Sequence, residues 1–173
     1  LLCVRQYFKD GNASEKALAA KIDQLWREME WTWYLNGQDV LYWHWSPNNG
    51  WAMNFELRGW NETLITYILG ASSNRYPISK EHYTKCWAES SHFKNCKEYY
   101  GIKLPLGFEY GGPLFFAHYS FLGLDPRGLK DQYANYWEQN VNHTLINYKH
   151  CVVNPNKFKG YGANCWGLTA SDN

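Results

Sequence analysis

At 173 residues the chain has the length of one ordinary domain and can bury a sizeable core. A formal net charge of +1 argues against nucleic acid as a partner, since that needs a clustered basic surface. No apolar run reaches the roughly 18 residues of a membrane span, and 18% aromatic against 19% charged residues describes a packed fold rather than a disordered segment.

The chain opens on "LLCVRQYF", which reads as the middle of an apolar helix over residues 1 to 9, stopped by Asp10-Gly11. It has no initiating Met, and we expect a piece of a longer chain with both ends missing. "NASEKALAAKIDQLWREMEW" follows, with cap-type residues and then Leu18, Ile22, Leu25 and Trp26 at helical spacing, which predicts an amphipathic helix over 13–29. Alternating aromatics then flank Asn36-Gly37, the signature of a small β-hairpin. Residues 46–58 read as loop. "NETLITYILG" predicts a short helix, with Asn61 as N-cap and Gly70 as stop. "PISKEHYTKCWAES" predicts another, with Ser79 as cap. Residues 92–112 are irregular in pattern. A helix is expected from Pro113, the longest over 129–153, and the start of one more at "WGLTASDN". The result is an all-α chain with one hairpin, no βαβ alternation, and loops longer than helix–helix connections usually are.

The five cysteines are odd in number and lack CxxC spacing. Buried free thiols are the simplest reading, with a Cys86–Cys96 bridge left open. No HExxH, GxSxG, phosphate-binding loop or GxGxxG occurs, so neither a metal nor a cofactor is expected. Three Asn-x-Ser/Thr sequons, at Asn12, Asn61 and Asn142, matter only in a glycosylating host.

Among the carboxylates, Glu62 stands at the start of a predicted helix beside Trp60. It either complements the helix dipole or serves as a general acid against aromatic walls. Glu56 reads as a loop charge or a partner for Arg58. Glu109 and Tyr110 precede two glycines, so a tight turn could aim them into a cleft. Asp172 is a turn cap or a site carboxylate. His118 and Tyr119 lie on an apolar helix, where a core role is the simpler one. His44, between two tryptophans, is a candidate ligand contact. Six of the ten tryptophans fall within residues 31–60, in predicted hairpin and loop rather than on helix faces. Flat indoles beside Glu, Asn and Arg suit a carbohydrate, whose C–H faces stack and whose hydroxyls hydrogen-bond.

"GWNETLITYILGASSNRYPI", "GGPLFFAHYSFLGLDPR" and "YGANCWGLTASD", in that order and spacing, resemble the bacterial glucoamylase-like glycoside hydrolases. That group includes endo-β-1,2-glucanases and β-1,2-glucooligosaccharide hydrolases. The resemblance implies an (α/α)6 toroid, of which residues 1–173 form the central part of a single catalytic domain. It places the general acid on Glu62, and puts Trp45, Trp51, Arg58, His118, Tyr119, Trp166 and Asp172 near the sugar cleft. The partner base falls outside the segment, with Asp172 as a possible stand-in. It further implies hydrolysis of β-1,2-linked glucan with inversion, an exported monomer in the periplasm or at the cell surface, and an oligo- or polysaccharide as the partner. An α-glucan hydrolase of the same fold and a non-catalytic carbohydrate-binding protein are the alternatives.

Overall fold

The computed structural model describes residues 1–170. The chain divides into two compact units, one of residues 1–57 with 65–86 and one of residues 58–64 with 87 onward.

In the first unit, α1 (Leu2–Phe8) packs on α2 (Ala13–Glu28). The predicted N-terminus of α2 forms as a reciprocal capping box: Asn12 accepts from Ser14 N and Glu15 N, and the Glu15 carboxylate accepts from Asn12 N at 2.7 Å. Arg5 is ion-paired with Asp23 across the two helices.

The hairpin predicted around Asn36-Gly37 does not form, although its turn does. Asn36 and Gly37 both have positive φ, 49° and 70°, and Gln38 N donates to Leu35 O at 2.8 Å. Trp33–Leu35 coils into a 3₁₀ turn instead of a strand, and pairing stops after Tyr42 N donates to Tyr34 O. Tyr42 bridges Glu56, and Leu57 N donates to Leu41 O. Fully buried Tyr67 of α3 (Leu64–Ala71) locks that pairing. Its hydroxyl donates to Leu57 O at 2.8 Å and accepts from Leu41 N. Gly70 lies inside α3 rather than beyond its end, and a Cβ there would meet Ile78 Cδ1 at 3.0 Å. The helix predicted from Ser79 exists but relaxes into a π-helical segment, His82–Ala88. Ser79 N donates to His82 Nδ1 at its start.

The second unit contains the two-stranded antiparallel sheet, at a position the sequence pattern left irregular. β1 (Lys94–Tyr99) pairs with β2 (Ile102–Leu106) through a two-residue loop, Tyr100-Gly101, with φ of 55° and 76°. A bulge between Lys94 and Lys97 carries Asn95, whose amide donates to the carbonyls of Gly107 and Phe108. The core around the sheet is aromatic. Trp60 stacks on Tyr136 at 5.6 Å and meets Trp87 and Phe93 at 6.1 and 6.2 Å, and all four are buried.

The longest helix, α5, runs Tyr136–Val153 rather than 129–153. Asp131 Oδ1 accepts from Tyr133 N and Ala134 N, closing a turn where helix was expected, and Asn135 caps the helix proper. Its buried face is rich in polar residues that serve other backbones. Gln139 accepts from Leu106 N at 3.0 Å and donates to Leu106 O at 3.2 Å, completing the free edge of β2. Asn147 accepts from Gly167 N and Leu168 N. Residues 166–170 form no helix, against expectation, and the rest of the helix expected at "WGLTASDN" lies outside the described residues. The helix predicted from Pro113 shortens to α4 (Phe115–His118) followed by a 3₁₀ turn, Tyr119–Leu122. None of the five cysteines is in a disulfide bond, and only Cys151 is buried, so four of the five are not the buried thiols anticipated.

Candidate active site

Each unit carries one of the two constellations that the sequence singled out. In the first, Trp33, Trp45 and Trp51 gather into an aromatic bank. Trp33 meets Trp45 edge-on at 6.0 Å and Trp51 at 5.9 Å, while Trp51 also touches Tyr34 and Tyr42. Trp33 and Trp45 remain 49% and 38% exposed, so these indoles are surface, not core. Tyr42 donates to Glu56 Oε1 at 3.2 Å, which places that carboxylate behind the bank. His44, half-buried, sits between exposed Trp43 and Trp45.

In the second unit Glu62 occupies a turn held by the main chain on both sides. Before it, Gly59 N donates to Trp87 O and Trp60 N to His92 O. Gly59 has φ 79°, and a Cβ there would lie 2.7 Å from Ser91 O, so the chain approaches that loop more closely than a larger residue allows. Trp60 is buried beneath it. After it, Asn61 Oδ1 accepts from both Thr63 N and Thr63 Oγ1, and Thr63 and Leu64 are buried. Asn61 is therefore an Asx turn ahead of α3 rather than its cap. Glu62 itself is half-buried and precedes the first turn of α3, which contains no acidic residue. Glu62 therefore lies at the N-terminal end of α3 but just outside its first turn. The Glu62 carbonyl accepts from Ser120 Oγ at 2.8 Å, which brings the 3₁₀ turn that follows His118 and begins at Tyr119 to the Glu62 turn.

His118 ends α4 and lies against α5, with Nε2 at 3.0 Å from Thr144 Oγ1. Thr144 commits its own proton to Asn140 O at 2.8 Å, so His118 Nε2 must be the donor, leaving Nδ1 as the basic nitrogen. Burial holds the His118 pKa below its ordinary value, keeping the ring neutral. A cavity of about 450 Å³ beside it is walled mainly by Phe121, Trp137, Val141 and Leu145. Tyr119 is 59% exposed and rests on Phe115, and Trp166 is 46% exposed with its edge on Tyr148 of α5. Arg58 is exposed, and its carbonyl accepts from Asn61 Nδ2. Asp172 lies outside the described residues. Glu109 is exposed and ion-paired with Lys97 at 2.8 Å, which lowers its pKa, and with Tyr110 it rims a smaller cavity of about 210 Å³. Among the described residues no group of three or more His, Cys, Asp or Glu could hold a metal ion.

The sequence pattern missed His143. It is fully buried on α5, donates from Nε2 to Gly112 O at 3.0 Å, and sits where a Cβ on Gly111 would be 2.1 Å from its Cδ2. Burial pushes its pKa down to about 4 from an ordinary 6.5. Between those values the unfolded chain binds a proton that the folded chain refuses, so stability rises with pH across this window. About 3 kcal/mol should be lost on going from pH 7 to pH 4. Urea midpoints measured across that range should show this slope, and His143→Gln should flatten it.

By fold, the chain matches solved structures of bacterial β-1,2-glucanases and a glucoamylase-type protein. It is 58% identical, with a TM-score of 0.88, to an endo-β-1,2-glucanase from Chitinophaga pinensis solved with sophorotriose and glucose, covering 98% of this chain and 42% of that one. It is 59% identical, with a TM-score of 0.90, to a glucoamylase-type protein from Bacteroides uniformis, covering 99% and 42%. Against the exo β-1,2-glucooligosaccharide sophorohydrolase of Parabacteroides distasonis it is 44% identical over 99% of its own length and 26% of the relative's. The chain belongs to the Glycoamylase family ("Putative glucoamylase"), whose model matches residues 54–173. It spans between about a quarter and two fifths of the length of these relatives.

Proposed function

We propose that this chain is the central part of the catalytic domain of a glycoside hydrolase that cleaves β-1,2-linked glucan or glucooligosaccharide. One observation carries the reading. Two relatives at 44% and 58% identity differ in mode, exo against endo, but their names share the β-1,2 linkage. The linkage is therefore better supported than the mode of attack. In the complete domain the helices would close into an (α/α)6 toroid. The protein would act as an exported monomer.

In this reading Glu62 protonates the departing glycosidic oxygen. A carboxylate beyond the described residues activates water on the opposite face of the sugar. Inversion requires the two carboxyl groups to stand roughly 6.5–9.5 Å apart, leaving room for that water. The exposed indoles Trp33 and Trp45, with Trp51 behind them, present flat faces of the kind that hold pyranose rings. His118, Tyr119, Trp166 and Arg58 would supply further contacts to hydroxyls and ring faces.

A second reading, an α-glucan hydrolase, is favoured by the glucoamylase description of the family alone. Product analysis separates the two. The full-length protein is incubated with linear β-1,2, β-1,3, α-1,4 and α-1,6 glucans. Oligosaccharides released from the β-1,2 glucan alone are the expected result. Release from an α-glucan keeps the fold and moves the substrate, and binding without release points to a non-catalytic carbohydrate-binding protein.

A further inference from the structure

We propose that Ser120 is a positioning residue for Glu62, setting the orientation of the turn from which the acid projects. The inference rests on the reading of Glu62 as the proton donor. Ser120 is 1% exposed, in the 3₁₀ turn Tyr119–Leu122, and a hydroxyl so buried is costly unless it is partnered. Its Oγ donates to the main-chain carbonyl of Glu62 at 2.8 Å, across 58 residues of sequence. That carbonyl belongs to the peptide between Glu62 and Thr63, so the bond restrains that peptide and, with it, the Cα from which the Glu62 side chain leaves. The neighbouring restraints act on either side of Glu62: Trp60 N bonds to His92 O, and Thr63 N bonds to Asn61 Oδ1. Ser120 grips the Glu62 peptide itself. The same bond ties the Glu62 turn to the segment bearing His118 and Tyr119.

Without the bond the turn can rock, and a misplacement of about 1 Å can cost up to about 10²-fold in rate. The loss belongs to kcat rather than KM, because the proton is delivered in the transition state. It also depends on the leaving group: a glucosyl oxygen needs the proton, whereas a dinitrophenolate departs with little help. Ser120→Ala, made in the full-length protein, should therefore lower kcat on β-1,2-glucooligosaccharide by roughly 10-fold or more with KM little changed. Turnover of a dinitrophenyl β-glycoside should be nearly untouched. In the Glu62→Gln background the same substitution should cost nothing further, as expected for two residues acting through one group. Equal losses on both substrates, an added loss in the double variant, or unchanged kcat would each overturn the proposal. If Ser120→Ala lowers the melting temperature too far to assay, Ser120→Cys, nearly isosteric and a weaker donor, replaces it under the same criteria. Full glucan hydrolysis by Glu62→Gln alone would instead remove the acid assignment, an outcome visible without any change at Ser120.

Discussion

If Glu62 is the proposed general acid, Glu62→Gln in the full-length protein should keep the fold and cut turnover of the proposed β-1,2-glucan substrate by about 10²–10⁴, the scale on which general acid–base groups act. The amide matches the carboxyl group in size, but its N–H protons are not acidic enough to be delivered to the leaving oxygen. Folding should be spared because the structural work at this position belongs to the main chain. The Glu62 carbonyl holds Ser120, Trp60 and Thr63 anchor the turn, and the side chain is only half-buried. Steady-state kcat and a melting curve decide the matter together. Wild-type turnover sinks the assignment. Lost turnover with a large drop in melting temperature would mean that the side chain is a structural prop.

Parts of the local structure could be read in the sequence, and the parts that could not have identifiable causes. The cap of α2 was readable because Asn12 and Glu15 act locally, within one turn. The turn at Asn36-Gly37 was equally local and also formed, but a hairpin needs strands as well as a turn. Here Tyr42 found its partner in Glu56, beyond the reach of a local pattern. The real hairpin was hidden because Asn95 and Cys96 sit in a bulge that breaks the alternation. α5 inverts the usual rule. Gln139, Asn140, His143 and Asn147 face inward, while Trp137, Val141 and Leu145 are 49%, 37% and 43% exposed. Its inward polar groups complete the backbones of β2, Gly112 and the 166–170 segment, needs that exist only once the chain has folded. Hydropathy could therefore find the helix but not its buried face, and His143 escaped notice for the same reason. Glu62 was singled out by its family motif, whereas its bond to Ser120 is a tertiary contact that no spacing announces.

The tryptophans divide in a way that composition could not show, and paired substitutions test the division. Trp60 lies in the same sequence cluster as Trp45 but is 1% exposed, stacked on Tyr136 and wedged against Trp87 and Phe93. Gly107 gives way to it, since a Cβ there would approach Trp60 Cδ1 to 2.8 Å. Trp60→Ala should therefore cost about 3–5 kcal/mol, the transfer term of a large buried aromatic plus the cavity it leaves. Trp45 is 38% exposed and meets Trp33 edge-on, so Trp45→Ala should cost under about 1 kcal/mol, roughly the worth of one aromatic pair. Binding should move the other way. Trp45→Ala should weaken oligosaccharide affinity at nearly intact stability. Trp60→Ala should lower the urea midpoint, with affinity preserved in whatever fraction remains folded. If Trp45→Ala left affinity unchanged, the exposed indoles would lose their assigned role and the carbohydrate reading would rest on Glu62 and the relatives alone. If Trp60→Ala were tolerated, the turn that carries Glu62 would not depend on the aromatic core beneath it, and its rigidity would have to come from the hydrogen bonds of Gly59, Asn61 and Ser120.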